Sequence, residues 1–167
     1  MFPSQVPYQR EAAVNYALRW ALQNNPAYYD YFQIGGDCTN FASQMLYAGA
    51  KVMNLTPLYG WYYIDANRKS PSWTGVNYLR NFLVGNTTKG PFAVEVGIAA
   101  LQPGDLIQLS FAGESHYQHS LPITRIDLPV SPDNIYVSTH SPKKRNAKLS
   151  SYTWKQIRFL HIKGVYI

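Results

Sequence analysis

The chain of 167 residues has the length of one ordinary domain, and its 46% hydrophobic content excludes disordered and collagen-like classes. Charged residues make up only 14%, whereas aromatic residues reach 15%. The net charge of +6 is typical of a mildly basic protein, although an anionic partner such as a cell-wall polymer stays open. Basic residues do not alternate with aromatic ones in any nucleic-acid motif, and no apolar run approaches the roughly 20 residues of a membrane span. We therefore expect neither a specific nucleic-acid partner nor a membrane-spanning segment.

The first half of the chain carries helical spacing of its apolar residues. A first helix is predicted from Tyr8 to Asn24, where a following Pro26 favours its end. A second helix is predicted to begin near Cys38, and a long loop or short hairpin follows over residues 51–70. A third helix is predicted to begin at Ser72-Trp73-Thr74 and to continue through Leu83.

After Pro103-Gly104 the pattern changes to strands. Four segments rich in β-branched and aromatic residues are separated by turn clusters: GDLIQLSF, HSLPITRI, NIYVSTH and RFLHIKGVYI. Pro122 predicts an edge strand or a bulge, because proline cannot donate to a sheet ladder. The basic cluster of residues 143–148 is predicted to be a solvated loop. Helices followed by strands indicate an α+β fold with an antiparallel sheet, as a single domain over residues 1–167.

The single cysteine, Cys38, stands where two glycines give way to the second helix. Asp37 is placed to cap that helix, so the free N–H groups of the first turn could lower the pKa of the thiol and bind a developing oxyanion. The adjacent charge of Asp37 opposes thiolate formation unless capping occupies it. Position alone leaves a buried structural cysteine and a nucleophile equally open.

A thiol nucleophile needs a base and an orienting partner, and the chain has four histidines. His119 begins one predicted strand and His140 ends the next. If these strands pair as antiparallel neighbours, the two imidazoles lie side by side as base and orienter. His116 and His161 are expected to be structural, and no second cysteine or carboxylate cluster supports a metal site.

Several segments together resemble the bacterial "putative amidase domain" family, which is similar to papain-like cysteine peptidases and amidases, including those that cut cell-wall peptides. The resemblance runs from Tyr8 to Ser150, and its segments are YQREAAVNYALRWALQNNPAYYDYF, GGDCTNFASQMLYAGA, SPSWTGVNYL, QPGDLIQL, HSLPIT and VSTHS. The run DCTNF around the cysteine is its most specific element. Ala50 departs from the pattern, since a second glycine is common there.

The resemblance implies a papain-like fold with N-terminal helices, the nucleophile at a helix N-terminus and a C-terminal antiparallel sheet. It implies Cys38 as nucleophile, His119 as base and His140 as the polar third member. Asp37 and Asn40 flank the nucleophile as supporting residues, and Trp73 is expected near the cleft.

The expected function is a cysteine-dependent amide or peptide hydrolase that forms a thioester with a peptide or glycopeptide and needs no cofactor. Two alternatives stay open: a binding module without catalysis, and an acyltransferase that uses the same thioester. Aromatic residues over 59–73 suggest a cleft wall, although core packing also accounts for them. The N-terminal residues lack the pattern of a signal peptide, which predicts either a cytosolic protein or a piece of a longer exported one.

Overall fold

Helices dominate the first half of the chain and strands the second. The structure, a computed structural model, describes residues 3–167. In chain order the elements are β1 (Gln5–Val6), α1 (Arg10–Trp20), α2 (Cys38–Ala50), α3 (Pro71–Thr74), α4 (Val76–Gly85), β2 (Gly90–Val96), β3 (Leu106–Ser110), β4 (His119–Ile126), β5 (Ile135–Thr139), β6 (Lys144–Lys148) and β7 (Gln156–Tyr166). The α+β class predicted from the sequence is confirmed. None of the helices within residues 3–167 is long and apolar enough to cross a bilayer.

The strands form one antiparallel sheet in the order β1-β7-β3-β4-β5-β6, and β2 also pairs with β7. The long strand β7 is the centre of the sheet, because β2 pairs along one edge while β3 and β1 pair along the other. All four predicted strands are present as β3, β4, β5 and β7. Strand β2, over the segment GPFAVEV, was not predicted.

The predicted third helix is two helices that meet at Gly75. This residue has extended geometry, with φ −103° and ψ 126°, and its N–H closes α3 by donating to the carbonyl of Pro71. A Cβ at Gly75 would lie 2.7 Å from the ring of Tyr78 and 3.0 Å from the Pro71 carbonyl oxygen. The break therefore depends on a glycine. The first helix is also shorter than predicted, since it ends at Trp20.

One sequence expectation about strands was wrong, and for Pro122 only the edge alternative was wrong, because a bulge-type irregularity does lie next to it. The basic cluster is not a loop throughout, because Lys144–Lys148 forms β6 at the end of the sheet, paired with β5. Four of its five residues are polar, so neither face of the strand is apolar. This composition is typical of an exposed edge strand. Pro122 does not mark an edge either, because β4 lies between β3 and β5. Pro122 pairs with Leu106 of β3, and the pairing with β5 begins at Ile123 and is irregular between Ile123 and Arg125.

The two faces of the sheet support two separate hydrophobic clusters. Neighbouring residues of β3 point to opposite faces, so Leu106 joins the cluster under the helices and Ile107 the cluster on the other side. Helix α2 is buried along almost its whole length in the first cluster. Because α2 packs against β4, the first turn of the helix lies beside the start of that strand. This packing positions the candidate site.

The aromatic segment before α4 contributes to both core and surface, since Tyr59 is exposed and lines a separate cavity of about 500 Å³. Trp61 and Trp73 are fully buried, with ring centroids 4.9 Å apart. Residues 51–70 are irregular, as predicted, with short bridges between Asn54 and Trp61 and between Tyr63 and Lys69. The expectation that Trp73 lies at the cleft is therefore wrong, because its ring fills the core beneath α2.

Candidate active site

Cys38 is the first residue of α2, as the sequence predicted. The turn before it contains Gly35 and Gly36, whose φ angles are +88° and +101°. L-amino acids with a side chain are strained in this region, so the two glycines allow the chain to turn sharply into the helix. The first-turn N–H groups of an α-helix have no partner within the helix. The thiol is thus presented where backbone donors are available.

His119 is the first residue of β4, and it shares a cavity of about 470 Å³ with Cys38. The Sγ of Cys38 lies 3.9 Å from the carbonyl oxygen of Gln118, the residue that precedes His119. The cavity is lined by Gly35, Gly36, Cys38, Phe111, Gln118, His119, Ser141, Pro142 and Tyr152. The structure therefore brings the predicted nucleophile and the predicted base to one cavity.

Burial controls the protonation of both groups. It raises the pKa of the Cys38 thiol, and hydrogen bonds from the Ser120 backbone and from Thr39 oppose that rise only in part. Burial, together with the charge of Lys144, lowers the pKa of His119 to about 4. The expected lowering of the thiol pKa is therefore wrong for the free protein. At neutral pH the pair is a neutral thiol beside a neutral imidazole.

The imidazole of His119 is held by packing and not by hydrogen bonds at Nε2. That nitrogen is buried and has no hydrogen-bond partner among residues 3–167. The rings of Phe111 and Tyr152 flank it, with centroids at 6.4 and 5.9 Å. A buried nitrogen without a partner is unusual, and because it has less than 1 Å² of accessible surface, a molecule in the cavity reaches the ring through another part of it.

His140 does not orient His119. Its Nδ1 lies 2.6 Å from Oδ2 of Asp37, and its Nε2 lies 2.9 Å from the carbonyl oxygen of Trp20. The ring also stacks on Phe41 with centroids 4.0 Å apart. Since both nitrogens are already bonded elsewhere, the predicted partnership of the two histidines is not present.

Asp37 occupies the capping position of α2 but uses its carboxylate differently from the prediction. Oδ1 accepts hydrogen bonds from the N–H of Tyr31 and from Nδ2 of Asn40, and Oδ2 faces His140. Its own N–H donates to Oγ of Ser141. The carboxylate therefore joins the glycine turn, the first turn of α2 and the end of β5 behind the nucleophile.

Asn40 extends this network into the core. Its Nδ2 donates to the carbonyl of Tyr29 as well as to Asp37, and its Oδ1 accepts a 2.9 Å hydrogen bond from Nε1 of Trp73. The predicted supporting residues Asp37, Asn40 and Trp73 thus lie together with His140. We call these four residues the buried polar network.

A second polar cluster lies away from the cavity, around Asp105. Its carboxylate accepts hydrogen bonds from Arg10 and from the N–H of Ile162, and it lies 2.8 Å from Nδ1 of His161. The sequence indicated only a turn at this point, and Gly104 does have a φ of +91°. The cluster ties α1 to β7. Within residues 3–167 no group of three or more His, Cys, Asp or Glu side chains is placed to hold a metal ion.

Two residues beside His119 were missed by the sequence analysis. Tyr152 lines the cavity just after a single 3₁₀ turn at Leu149–Ser151, and the Nζ of Lys144 lies 4.6 Å from the centroid of its ring. No local motif distinguishes either residue. A tyrosine after a basic stretch has no signature without the folded structure.

Comparisons with known proteins show the family to which the chain belongs. The model of the "putative amidase domain" family matches residues 7–162, so the chain belongs to that family. The chain is 36% identical over 115 residues to the uncharacterized protein YhbB of Bacillus subtilis (strain 168), a match that covers 68% of this chain and 36% of YhbB. The chain thus spans about a third of the length of that relative. No solved structure matches it.

Proposed function

We propose that this member of the amidase family is a cysteine-dependent hydrolase of amide or peptide bonds, with Cys38 as nucleophile and His119 as base. One observation carries the proposal: a cysteine at the start of α2 and a buried histidine with an unpartnered Nε2 line the same cavity. A thiol and an imidazole in one cavity are the two groups that covalent acyl transfer requires. A cysteine and a histidine that served only to fill the core would be expected to pack against other side chains and not to line a cavity.

The reaction would begin from the neutral pair. As Sγ attacks the amide carbonyl carbon, the thiol proton passes to the imidazole of His119 and the carbonyl π electrons move to the oxygen. The imidazolium then donates that proton to the leaving nitrogen as the C–N bond breaks, which leaves a thioester on Cys38. Water, deprotonated by His119, attacks the thioester and releases the acid and the thiol. These steps need only thiol, imidazole and water, and no cofactor.

A neutral resting pair keeps the base unprotonated but makes it weak, since general bases are most effective with a pKa near the working pH. A base with a pKa of about 4 in the free protein is unprotonated at every pH near neutrality, so its lone pair is available when the substrate arrives. Substrate binding and the growing negative charge of the transition state then favour the imidazolium. We expect a peptide or cell-wall peptide as substrate, since the family resemblance includes enzymes of that class.

One observation favours a second candidate, a peptide-binding module without catalysis. The raised pKa of Cys38 is what a binding protein could tolerate and a preformed thiolate enzyme could not. The two candidates differ in whether the thiol forms a covalent intermediate. Binding alone would leave Cys38 unmodified by any substrate.

The test is a screen of amide substrates, including muropeptides, with the wild type, Cys38→Ala and His116→Ala. His116 is exposed and serves as the matched control. We expect turnover by the wild type and the control, none above background by Cys38→Ala, and a thioester adduct on Cys38 visible by mass spectrometry after acid quenching. Equal turnover by Cys38→Ala, or tight binding without any adduct, would contradict the proposal.

A further inference from the structure

A row of polar residues crosses the sheet behind the Cys38 thiol. Ser120 of β4 pairs with Gln108 of β3, and Gln108 pairs in turn with Arg158 of β7. Residues that pair directly across neighbouring strands point to the same face of a sheet, so the three side chains lie side by side. Ser120 and Gln108 are fully buried on that face.

The surroundings of this row are apolar. Two residues away from Gln108 along β3, Leu106 pairs with Leu160, and both leucines belong to the hydrophobic cluster under the helices. Buried polar side chains are costly unless they are hydrogen-bonded, whereas apolar side chains in their place would serve the fold at least as well. The hydrogen bonds of the polar row therefore determine what it contributes.

Arg158 fixes the orientation of the Gln108 amide. Its Nε donates to Oε1 of Gln108 at 2.8 Å, and an arginine side chain can only donate. The other end of the amide, Nε2, therefore faces away from the arginine. It donates to the carbonyl of Val76 at 2.9 Å and to Oγ of Ser120 at 3.1 Å. Both protons of Nε2 are used, and the Ser120 oxygen is the acceptor in the second bond.

The hydroxyls of Ser120 and Thr39 continue these bonds to the thiol. Their oxygens are 2.9 Å apart, and Oγ1 of Thr39 lies 3.8 Å from Sγ of Cys38. Because Nε2 of Gln108 only donates, the proton of Ser120 goes to Thr39, and the proton of Thr39 goes to the sulfur. The thiol proton has its own acceptor, the carbonyl oxygen of Gln118 at 3.9 Å. The opposite direction would leave the buried Ser120 proton without an acceptor among residues 3–167.

The row ends at a positive charge whose hydrogen-bond partners are neutral. Besides Gln108, the guanidinium of Arg158 donates to Oδ1 of Asn77 at 2.8 Å, and it lies 3.8 Å from the ring centroid of Tyr117. Arg158 forms no ion pair within the described chain, and Glu95 is paired with Arg80. Hydrogen bonds in a chain polarise one another, and each is stronger away from water. A cation at one end therefore strengthens the donation to the sulfur at the other.

Other titratable groups near the thiol do not supply this effect. The charge of Asp37 disfavours negative charge on the sulfur. His119 and Tyr152, which line the cavity, are both neutral near pH 7, with pKa values of about 4 and about 12. Lys144 lies against the ring of Tyr152 and so acts from the cavity side of the thiol. The polar row approaches the sulfur from the opposite side, because its side chains are not part of the cavity lining.

We call Thr39, Ser120 and Gln108 the relay. We infer that the relay transmits the positive charge of Arg158 to Sγ of Cys38 and stabilises negative charge on the sulfur. Its members are positioning residues that act by orientation and polarisation, and each proton is shared and not transferred. The role of the relay in catalysis rests on the proposed function, in which the sulfur gains negative charge as its proton passes to the base.

The first test is Thr39→Val, which removes the last hydroxyl of the relay and keeps the shape of the side chain. The rate of Cys38 alkylation by iodoacetamide is measured from about pH 6 to about pH 10, without any substrate. We expect the apparent pKa of the thiol to rise by about one unit, since a hydrogen bond to a charged group is lost. At about pH 8 the rate should fall about threefold, because the greater nucleophilicity of the remaining thiolate offsets part of the tenfold loss of thiolate.

Thr124→Val is the matched control. Thr124 is also a buried threonine, and its hydroxyl bonds Ser138 and Asn146, away from the thiol. Both variants should lose stability, because each loses buried hydrogen bonds, but only Thr39→Val should change the alkylation profile. A thiol pKa in Thr39→Val equal to that of the wild type would overturn the inference, and so would an equal shift in Thr124→Val.

The second test distinguishes the relay from a charge that acts directly through space. Arg158→Met should raise the apparent thiol pKa by about half a unit, and Arg158→Lys, which keeps the charge, should restore most of that shift. In a Thr39→Val background, Arg158→Met should have no further effect, because the last hydroxyl of the relay is missing. A shift of equal size in both backgrounds, or no recovery in Arg158→Lys, would overturn the inference.

Turnover is measured separately, on an amide identified in the Cys38 screen. Thr39→Val should lower kcat about 10-fold with little change in KM, since the charge on the sulfur develops in the transition state. Shifted alkylation profiles without Cys38-dependent turnover in the wild type would remove the proposed function and leave the relay standing. Cys38-dependent turnover with an unshifted profile in Thr39→Val would remove the relay and leave the proposed function standing.

Discussion

The two buried histidines of this molecule are alike in exposure and opposite in bonding. His119 is 6% exposed and His140 is 2% exposed. Both nitrogens of His140 are bonded, to Asp37 and to the carbonyl of Trp20, whereas Nε2 of His119 has no partner within residues 3–167. The hydrogen bonds of His140 fix the position of its ring. Nε2 of His119 has no such bond, and that ring is held by packing against Phe111 and Tyr152.

The comparison teaches that burial alone does not distinguish a catalytic group from a structural one. A fully bonded polar group contributes to the stability of the fold, whereas an unbonded one lowers it and is kept only where another role compensates. The buried polar network holds the turn and the helix behind the nucleophile. In the cavity, the unbonded nitrogen of His119 lowers the stability of the fold, and the proposed role of this residue as base compensates for that loss.

The largest expected effect is on turnover. His119→Ala should lower kcat about 100- to 10,000-fold, because it removes the proposed base while leaving Cys38 in place. Stability should change little, since the lost packing against Phe111 and Tyr152 offsets the removal of a buried unpartnered nitrogen. Steady-state kinetics and thermal denaturation measure the two quantities, with His116→Ala as control. Undiminished turnover by His119→Ala would show that it is not the base.

The next effect is on stability. His140→Ala should lower the free energy of unfolding by about 3 kcal/mol or more, because it leaves one oxygen of the buried Asp37 carboxylate without its hydrogen-bond partner. Chemical denaturation at pH 7 measures the loss. His140→Asn, which can still donate one hydrogen bond to Asp37, should lose less than the alanine variant. A loss under about 1 kcal/mol would mean that the pair is not essential to the network.

The smallest effect is on the pH dependence of stability. The unfolded chain protonates His119 near its ordinary pKa of 6.5, and the folded chain only near 4, so the unfolded state binds more protons between these values. Stability should therefore fall as the pH is lowered from 6.5 to 4, by up to about 3 kcal/mol from this residue. Denaturation of the wild type and of His119→Phe across this range isolates the contribution as their difference.

Lys144→Met sharpens the same measurement. Removal of the neighbouring positive charge should raise the pKa of His119, so the lower end of the pH window should move upward and the loss of stability should become smaller. A wild type and a His119→Phe variant with parallel pH profiles would refute the assignment. In that case the imidazole would take up its proton over the same pH range in the folded and the unfolded chain.

The sequence predicted the strands whose residues are β-branched and half-buried, and it missed two others. Strand β2 contains glycine, proline, alanine and glutamate, so its pairing with β7 is a tertiary effect that local preference does not encode. Strand β6 reads KRNAK and has no apolar face. The break at Gly75 was missed because the apolar spacing continues across it.

In the candidate site, the sequence identified the groups but not their connections. Cys38 stands in a distinctive motif after two glycines, and His119 opens a clear strand. The partner of His140 could not be predicted, because the Trp20 carbonyl belongs to the end of α1 and the contact exists only after folding. The predicted lowering of the Cys38 pKa was wrong. A position at the start of a helix favours a lower thiol pKa, but burial, which only the structure reveals, has the larger and opposite effect.

Strand β6 has a consequence for how molecules of this protein meet one another. It is the last strand of the sheet, and one side of its backbone is available to pair with a strand from another chain. Lys144, Arg145 and Lys148 lie along this edge, close to the exposed Lys143. Two such edges repel each other when they approach, and burying the lysines would be costly. The basic cluster, predicted from the sequence to be a solvated loop, therefore opposes self-association at the open edge of the sheet.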